Sequence, residues 1–444
     1  MAKSKSVSSE GLLPIDTLAP RAGAFERIRR SLEILAEFYG FESMEPGPIE
    51  EVHTFAAASR AGVLEERPLL STKLASGLEV YVAPPPFPAV LRAYSTHRMH
   101  ELSHPLKFQV HGTELVVKSK ASSPAILPYW SVVTIGEEGP VAEAEMVRIV
   151  WKSVEGFLGA EKNGLSVRAN ATGCHECRPI YRSSLNTYLR GRASRLCKNC
   201  KRSLKNSPAR IFNCQEEKCL VVANTAPQIL DFICEKCKKH LKGFLEFLEE
   251  FSIPYWFDHG LFREGSWYDT LVFEITSDRT NAKEGQESPK PFLAAEGGRL
   301  SRLNELIQGK RLPAAGCFVL LEELEGYLCG KGVLLSERPR PELFLVQLGE
   351  LAKRKSFALL EMLRAEEMMV EQSFERDAIK SQLKVAERLG APLALILGQK
   401  EALDRTVIVR EMDSGIQETV GQDKLIDFLK KKLKNSSDAN IRMY

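Results

Sequence analysis

Eight cysteines fall between Cys174 and Cys237 as four closely spaced pairs, Cys174/Cys177, Cys197/Cys200, Cys214/Cys219 and Cys234/Cys237. A tetrahedral Zn²⁺ takes four thiolates, and a CxxC turn delivers two of them to one ion without strain, so the eight supply two closed four-cysteine sites. A closed site has no open coordination position, and the metal it implies is structural. How the pairs combine stays open. The gap between the first two fits a sequential zinc ribbon, whereas a helix from Pro179 to about Arg190 would part them by roughly 18 Å and favour interleaved pairing, unless Gly191 to Leu196 turns back. His175, inside the first CxxC, is not required as a ligand. Cys317 and Cys329 sit at apolar, helix-like positions and read as core.

Between the first three pairs lies charge of one sign. Arg178, Arg182, Arg190, Arg192, Arg195, Lys198, Lys201, Arg202, Lys205 and Arg210 occur with no Asp or Glu among them. A solvated face would mix signs; ten cations on a metal-stiffened module, interleaved with Tyr181 and Tyr188, suit a phosphate backbone. The lysines of "KKKLK", Lys430 to Lys434, have a weaker claim, since cations at a helix C-terminus also satisfy its dipole.

The 444-residue chain has length for two to four domains, and its 44% hydrophobic fraction is enough to bury real cores. With 27% charged residues but a net charge of only +3, any nucleic-acid surface must come from local clustering. No apolar run reaches the roughly 18 residues needed to span a bilayer, and "MAKSKSVSSEG" lacks a hydrophobic signal core. These features, and cysteines better explained by metal than by disulfides, read as a cytoplasmic protein.

The elements that must position this chemistry follow from periodicity. Residues 1–12 read as a disordered tail. Phe25, Ile28, Leu32, Leu35 and Tyr39 recur at helical spacing to Gly40. Strand-like "GLEVYVAP", "LKFQVHG", "ELVVKS" and "WSVVTIG" predict an antiparallel sheet, followed by a helix in "VAEAEMVRIVWKSVEGFLG". This α+β core occupies residues 13–164 and resumes at 252–335 with "DTLVFEIT" and "GCFVLLEELEGYL"; residues 165–251 read as an inserted Cys-rich zinc domain. The polar stretch "SDRTNAKEGQESPKP" has loop composition. A Pro-rich linker, 336–342, leads to residues 343–444, where strands and helices alternate as in an α/β domain with a mostly parallel sheet. No GxGxxG or Walker loop is present.

Taken in order, "AEFYGFESMEP" with "PIEEVHTF", "VLRAY", "RPIYRSSLNTYL" followed by "NSPARIF", "LFREGSWYDTLVFEI", "GGRLSRL", "LPAAGCFVLLEEL" and "RLGAPLALILG" resemble histidyl-tRNA synthetases of the bacterial type, from about Leu13 to Leu433. The resemblance implies a class II antiparallel-sheet catalytic domain, an insertion approaching the tRNA acceptor arm, a C-terminal α/β anticodon-binding domain, a homodimer and a tRNA partner, with ATP as co-substrate if the site works.

The departures bear on activity. The family's Arg-Pro-Glu-Gly-Thr stretch is matched by Ala83, Pro84, Pro85, Pro86 and Phe87, so a proline stands where the resemblance puts the carboxylate for the α-ammonium. Phe-Arg-Tyr-Glu is matched by Leu115, Val116, Val117 and Lys118, losing the arginine on the α-phosphate. Gly-Leu-Glu-Arg is matched by Leu320, Leu321, Glu322 and Glu323, replacing the γ-phosphate arginine with an acid. Arg-Gly-Leu-Asp-Tyr-Tyr is matched by Arg263 to Tyr268, keeping Arg263 and Tyr268 as the retained positions. "GGRLS" keeps its glycines and arginine; Gly297 and Gly298 by themselves fit a tight turn between strands.

The expectation is therefore a synthetase-like tRNA-binding protein whose aminoacylation is lost. Its alternatives are an active, divergent histidine–tRNA ligase and a synthetase-like regulatory subunit of another enzyme.

Overall fold

Leu106, Phe108 and Val110 alternate to give the strand Leu106–Val116 an apolar face, whereas Ala125–Ile135 is buried on both faces from Tyr129 onward, and the two pair antiparallel over their whole length. "LKFQVHG" and "ELVVKS", expected as two strands, are thus one. Gly112 continues the strand, because Tyr129 on the partner strand packs over it: a Cβ there would lie 3.0 Å from the Tyr129 hydroxyl.

The computed structural model describes residues 17–61, 69–116, 125–159, 164–205, 207–262, 267–277, 292–333, 335, 341–373 and 378–441. The expected tail at 1–12, most of the polar stretch, Arg263 and nearly all of the linker lie outside them. The contacts divide the chain into two units, Met1–Ser336 and Glu337–Tyr444.

In the first unit the two strands belong to an eight-stranded sheet in the order Glu42–Ser43, Leu106–Val116, Ala125–Ile135, Ala314–Leu320, Leu293–Arg299, Asp269–Ser277, Leu165–Gly173, Tyr255–Phe257. All pairings are antiparallel except those of the two short edge strands. One face is covered by the helices Ala19–Phe38, Val141–Leu158 and Glu235–Glu250; Ile28, Leu32, Val147, Val150, Phe244 and Phe273 lie in the same core. The other face carries a second core, built on Phe87 and Phe318, which the site occupies.

Leu165–Gly173, placed in the insertion by sequence, is a strand of this sheet, paired with Asp269–Ser277. The insertion does not have a core of its own. Leu185, Leu189 and Ile211 join one continuous apolar cluster with Val167 and Phe273, and Phe244 stacks on Phe273 with ring centroids 5.6 Å apart. Gly297 and Gly298 are not a turn. They lie inside strand Leu293–Arg299, where a Cβ on Gly297 would come within 2.3 Å of the Phe273 ring.

The second unit has strands in the order Val370–Gln372, Leu343–Gln347, Leu393–Leu397, Thr406–Glu411, Gln417–Gly421. The first three are parallel and the last two pairings antiparallel, so the sheet is mixed rather than mostly parallel. Strand Gln417–Gly421 was not expected: its partly exposed, polar "QETVG" carries no apolar alternation. "KKKLK" lies within helix Leu425–Ile441, not at its end; Lys430 pairs with Glu366 at 2.6 Å and Lys432 with Glu411 at 2.7 Å.

Candidate functional site: a filled pocket and two thiol clusters

Helix Pro86–Thr96 starts on the proline run. Pro85 is its N-cap and Pro86 its first residue, a position where a proline's missing N–H costs nothing and its fixed φ suits the helix. The run therefore points Phe87 down onto the sheet, where it is fully buried. Trp267, Tyr268 and Phe318 surround it with ring centroids at 5.4, 6.1 and 6.3 Å, all near edge-to-face, and Tyr129 stacks on Phe318 at 5.1 Å. The Tyr268 hydroxyl turns toward the Glu296 carbonyl, 3.5 Å away.

Beside this cluster a cavity of about 240 Å³ remains, lined among others by Ala83, Pro84, Pro86, His111 and Tyr129. It falls below the roughly 300–1,000 Å³ of ordinary small-molecule sites. Burial, with Glu114 nearby, raises the Tyr129 pKa, so its hydroxyl stays neutral. Val116 ends its strand half-buried, and Glu322 and Glu323 occupy the first turn of helix Leu321–Gly330, where acids suit the dipole. Glu322 is held by Arg21 at 2.6 Å.

Arg299, the arginine of "GGRLS", is committed elsewhere. Its guanidinium clasps the fully buried Glu143 at 2.8 and 2.6 Å and donates to the carbonyls of Gly139 and Glu137. His240 reaches the same carboxylate at 2.9 Å. Burial alone would raise the Glu143 pKa, but the Arg299 charge and the hydrogen bond with His240 outweigh it and hold it below the ordinary range. A second link joins the insertion to the sheet: Arg311 lies 2.7 Å from His175 Nδ1 and 3.6 Å from the buried Asp269, whose pKa burial raises despite Arg178 and Arg311. Sequence reasoning missed both links. Glu143 and Arg299 are 156 residues apart, and only an acid on an otherwise apolar helix face hinted at a partner.

The eight cysteines separate into two groups of four sulfurs, each group within 4.8 Å: Cys174, Cys177, Cys234 and Cys237, and Cys197, Cys200, Cys214 and Cys219. The pairing is nested, first with fourth and second with third, which differs from both the sequential and the interleaved arrangement. The helix Cys177–Arg190 does separate the first two pairs, as its rise requires.

Thiolates about 2.3 Å from zinc form a tetrahedron with edges of about 3.8 Å. Here Cys174 lies 3.5 Å from Cys177 and 4.0 Å from Cys234, and Cys197 lies 3.9 Å from Cys214. Backbone N–H groups aim at sulfur: Cys234 donates to Cys177 at 3.1 Å, Cys197 to Cys219 at 3.2 Å and Cys200 to Cys197 at 3.3 Å. The backbone N–H of Cys200 lowers the Cys197 thiol to about 7, and that of Cys237 lowers Cys234 to about 7, while burial raises Cys200 and Cys237. Burial raises Cys177 and Cys219 as well, so each cluster sets one thiol readied to ionise beside two that resist it, a combination a divalent cation would resolve. The donor set fits a metal ion. His175 stays outside it, exposed and bound to Arg311.

Nine of the ten cations between Arg178 and Arg210 are exposed: Arg182, Arg190, Arg192, Arg195, Lys198, Lys201, Arg202, Lys205 and Arg210. Arg178 is not on that surface. It is buried at 9% exposure, 5.9 Å from the Phe262 ring centroid and close enough to Asp269 to offset part of the burial that raises that acid's pKa. Tyr181 is core, its hydroxyl donating to the Pro227 carbonyl at 3.0 Å. Tyr188 is half-buried with one face under the Arg192 guanidinium, 3.9 Å from its centroid. Cys317 is buried, but on a strand, and Cys329 is exposed rather than core.

Comparison with known proteins places these features. Residues 343–432 match the model of the anticodon binding domain family. The histidine–tRNA ligase of Dehalococcoides mccartyi is 28% identical over 408 residues, 91% of this chain and 95% of that protein. The histidine–tRNA ligase of Halothermothrix orenii is 28% identical over 421 residues, 94% of this chain and 97% of the other. Among solved structures, apo histidyl-tRNA synthetase of S. aureus superposes with a TM-score of 0.72 at 25% identity, covering 94% of this chain and 97% of that one. No helix among the described residues is long and apolar enough to cross a membrane.

Proposed function

The chain belongs to the histidyl-tRNA synthetase family, and from that membership we propose that it binds tRNA or a related RNA while no longer activating histidine. The observation that carries this reading is the fully buried Phe87, packed against Trp267, Tyr268 and Phe318 at the position the family resemblance gives to amino-acid binding. Opening room there would expose an aromatic side chain worth about 1.5–3 kcal/mol of burial, and the buried Pro85 offers no charge to an ammonium.

The phosphate side is equally unsuited. By the same resemblance, Val116 and Glu323 stand where two arginines would grip ATP. Charge-assisted bonds to phosphate are worth roughly 1.5–3 kcal/mol each, and a carboxylate beside a triphosphate repels it. A deficit of even about 4 kcal/mol in the transition state slows adenylate formation about a thousandfold.

The RNA half of the proposal rests on the nine exposed cations between Arg182 and Arg210, together with the anticodon-binding domain. Zinc is assigned to both cysteine clusters, supported by their tetrahedral sulfur spacing and N–H···S bonds. A homodimer is supported by Ile34 and Phe38, one turn apart on the first helix and 52% and 81% exposed. The ten cysteines are all unbridged, which suits a cytoplasmic setting.

Histidine-dependent ATP–pyrophosphate exchange is the test. No exchange above the histidine-free blank, with tRNA still bound, is the expected result. Robust turnover would establish the second reading, an active divergent ligase, which the named function of the relatives at 28% identity favours. Failure to bind any tRNA at low salt would turn attention to the regulatory-subunit reading.

A further inference from the structure

Nested pairing of the cysteines builds a feature that neither cluster makes alone. The helix Cys177–Arg190 leaves the first cluster and runs toward Cys197 of the second; the segment after Cys219 leaves the second and returns to Cys234 of the first. Two walls, each stapled at both ends, enclose an open groove of about 1380 Å³. One wall presents Ile180, Ser183, Ser184 and Thr187, the i, i+3, i+4, i+7 face of the helix; the other presents Gln228 and Phe232. Cross-bonds hold the walls in place. Tyr181 donates to Pro227, and the Tyr188 hydroxyl meets the Val222 carbonyl at 3.0 Å and Thr225 Oγ1 at 2.7 Å.

The groove is larger than the roughly 300–1,000 Å³ a single small molecule fills. Its lining is apolar and hydroxyl-bearing with Asp231 its one acid, and Ile180 stands 58% exposed. At the end of the helix, the exposed Arg190 and Arg192 supply positive charge, and the Arg192 guanidinium sits over the ring of Tyr188, which lines the groove.

We infer that this groove holds unpaired RNA, with bases between the walls and phosphates on the flanking arginines. A duplex keeps its bases stacked inside and would touch only the cations, leaving the apolar and hydroxyl-bearing lining without a partner; splayed bases find apolar walls, hydroxyl and amide edges, and a guanidinium–tyrosine pair on which to stack. The inference deepens the RNA reading above and depends on it.

The test uses the full chain, metal-loaded, and fluorescence anisotropy with two probes: a blunt RNA hairpin and the same hairpin with a short unpaired 3′ extension. The extension should tighten binding about tenfold, the effect of roughly one stacked base. Ser184→Glu, which sets a carboxylate between the walls where phosphates and bases would enter, should abolish that advantage and leave the blunt hairpin's affinity unchanged. Ile180→Glu, at an exposed position that any helix tolerates, should do the same by charge repulsion, and unaltered metal content and near-UV circular dichroism certify the fold of either variant. Equal binding of both probes by the unmodified protein, or an extension advantage that survives in both folded variants, overturns the groove but spares the RNA reading. Binding of neither probe removes both.

Discussion

Glu143 illustrates how one carboxylate can organise a site it does not chemically serve. It is wholly buried, clasped by Arg299 through two bonds and touched by His240, so the arginine of "GGRLS" braces its strand against the helix that carries Glu143. Breaking such a pair strands a buried guanidinium. Glu143→Gln should therefore cost about 3–5 kcal/mol in urea unfolding at neutral pH. Because the folded-state pKa of Glu143 lies below its unfolded value, its stabilisation is complete above the ordinary carboxylate range and is lost as pH falls through the folded pKa. The gap between the unmodified protein and the variant should be flat from about pH 6 to 8 and narrow on acidification; a gap that widens toward acid would contradict the ion pair.

Among the elements, the two cysteine clusters serve different neighbours. Cys174 and Cys177 flank His175, whose ring meets Arg311, and Cys237 opens the helix that carries His240 to Glu143. The cluster of Cys197, Cys200, Cys214 and Cys219 joins only short helices of the insertion. Elemental analysis should give two zinc ions per chain and one in either Cys174→Ser or Cys197→Ser. Cys174→Ser should lower the melting temperature of the whole first unit. Cys197→Ser should instead loosen the insertion, read as faster hydrogen exchange confined to residues near 190–225. Equal thermal losses in the two variants would mean that the links to the sheet carry no load.

For the molecule as a whole, a net charge of +3 conceals a run of nine exposed cations between Arg182 and Arg210 with no acid among them. Single strands give a salt slope of about −0.7 per neutralised phosphate, so engagement of roughly five of the nine exposed cations predicts a slope near −3.5 for log affinity against log salt. Replacing Arg195, Lys198 and Arg202 together with serine should flatten the slope by about 2 without altering the fold; an unchanged slope would place RNA elsewhere.

Much of this was legible from residue order. The cysteine spacing anticipated thiols gathered in fours and the acid-free run of cations an exposed positive segment, because ligand valence and charge are local properties of residue type. The proline run could be read as a lost carboxylate, but not as the N-cap that drives Phe87 into an aromatic cluster. Cluster pairing, the burial of Arg178 and Tyr181, and the Glu143–Arg299–His240 link belong to the tertiary structure alone. Each joins residues tens to more than a hundred positions apart, and such distances are set by sheet order and helix packing, to which no local pattern is sensitive.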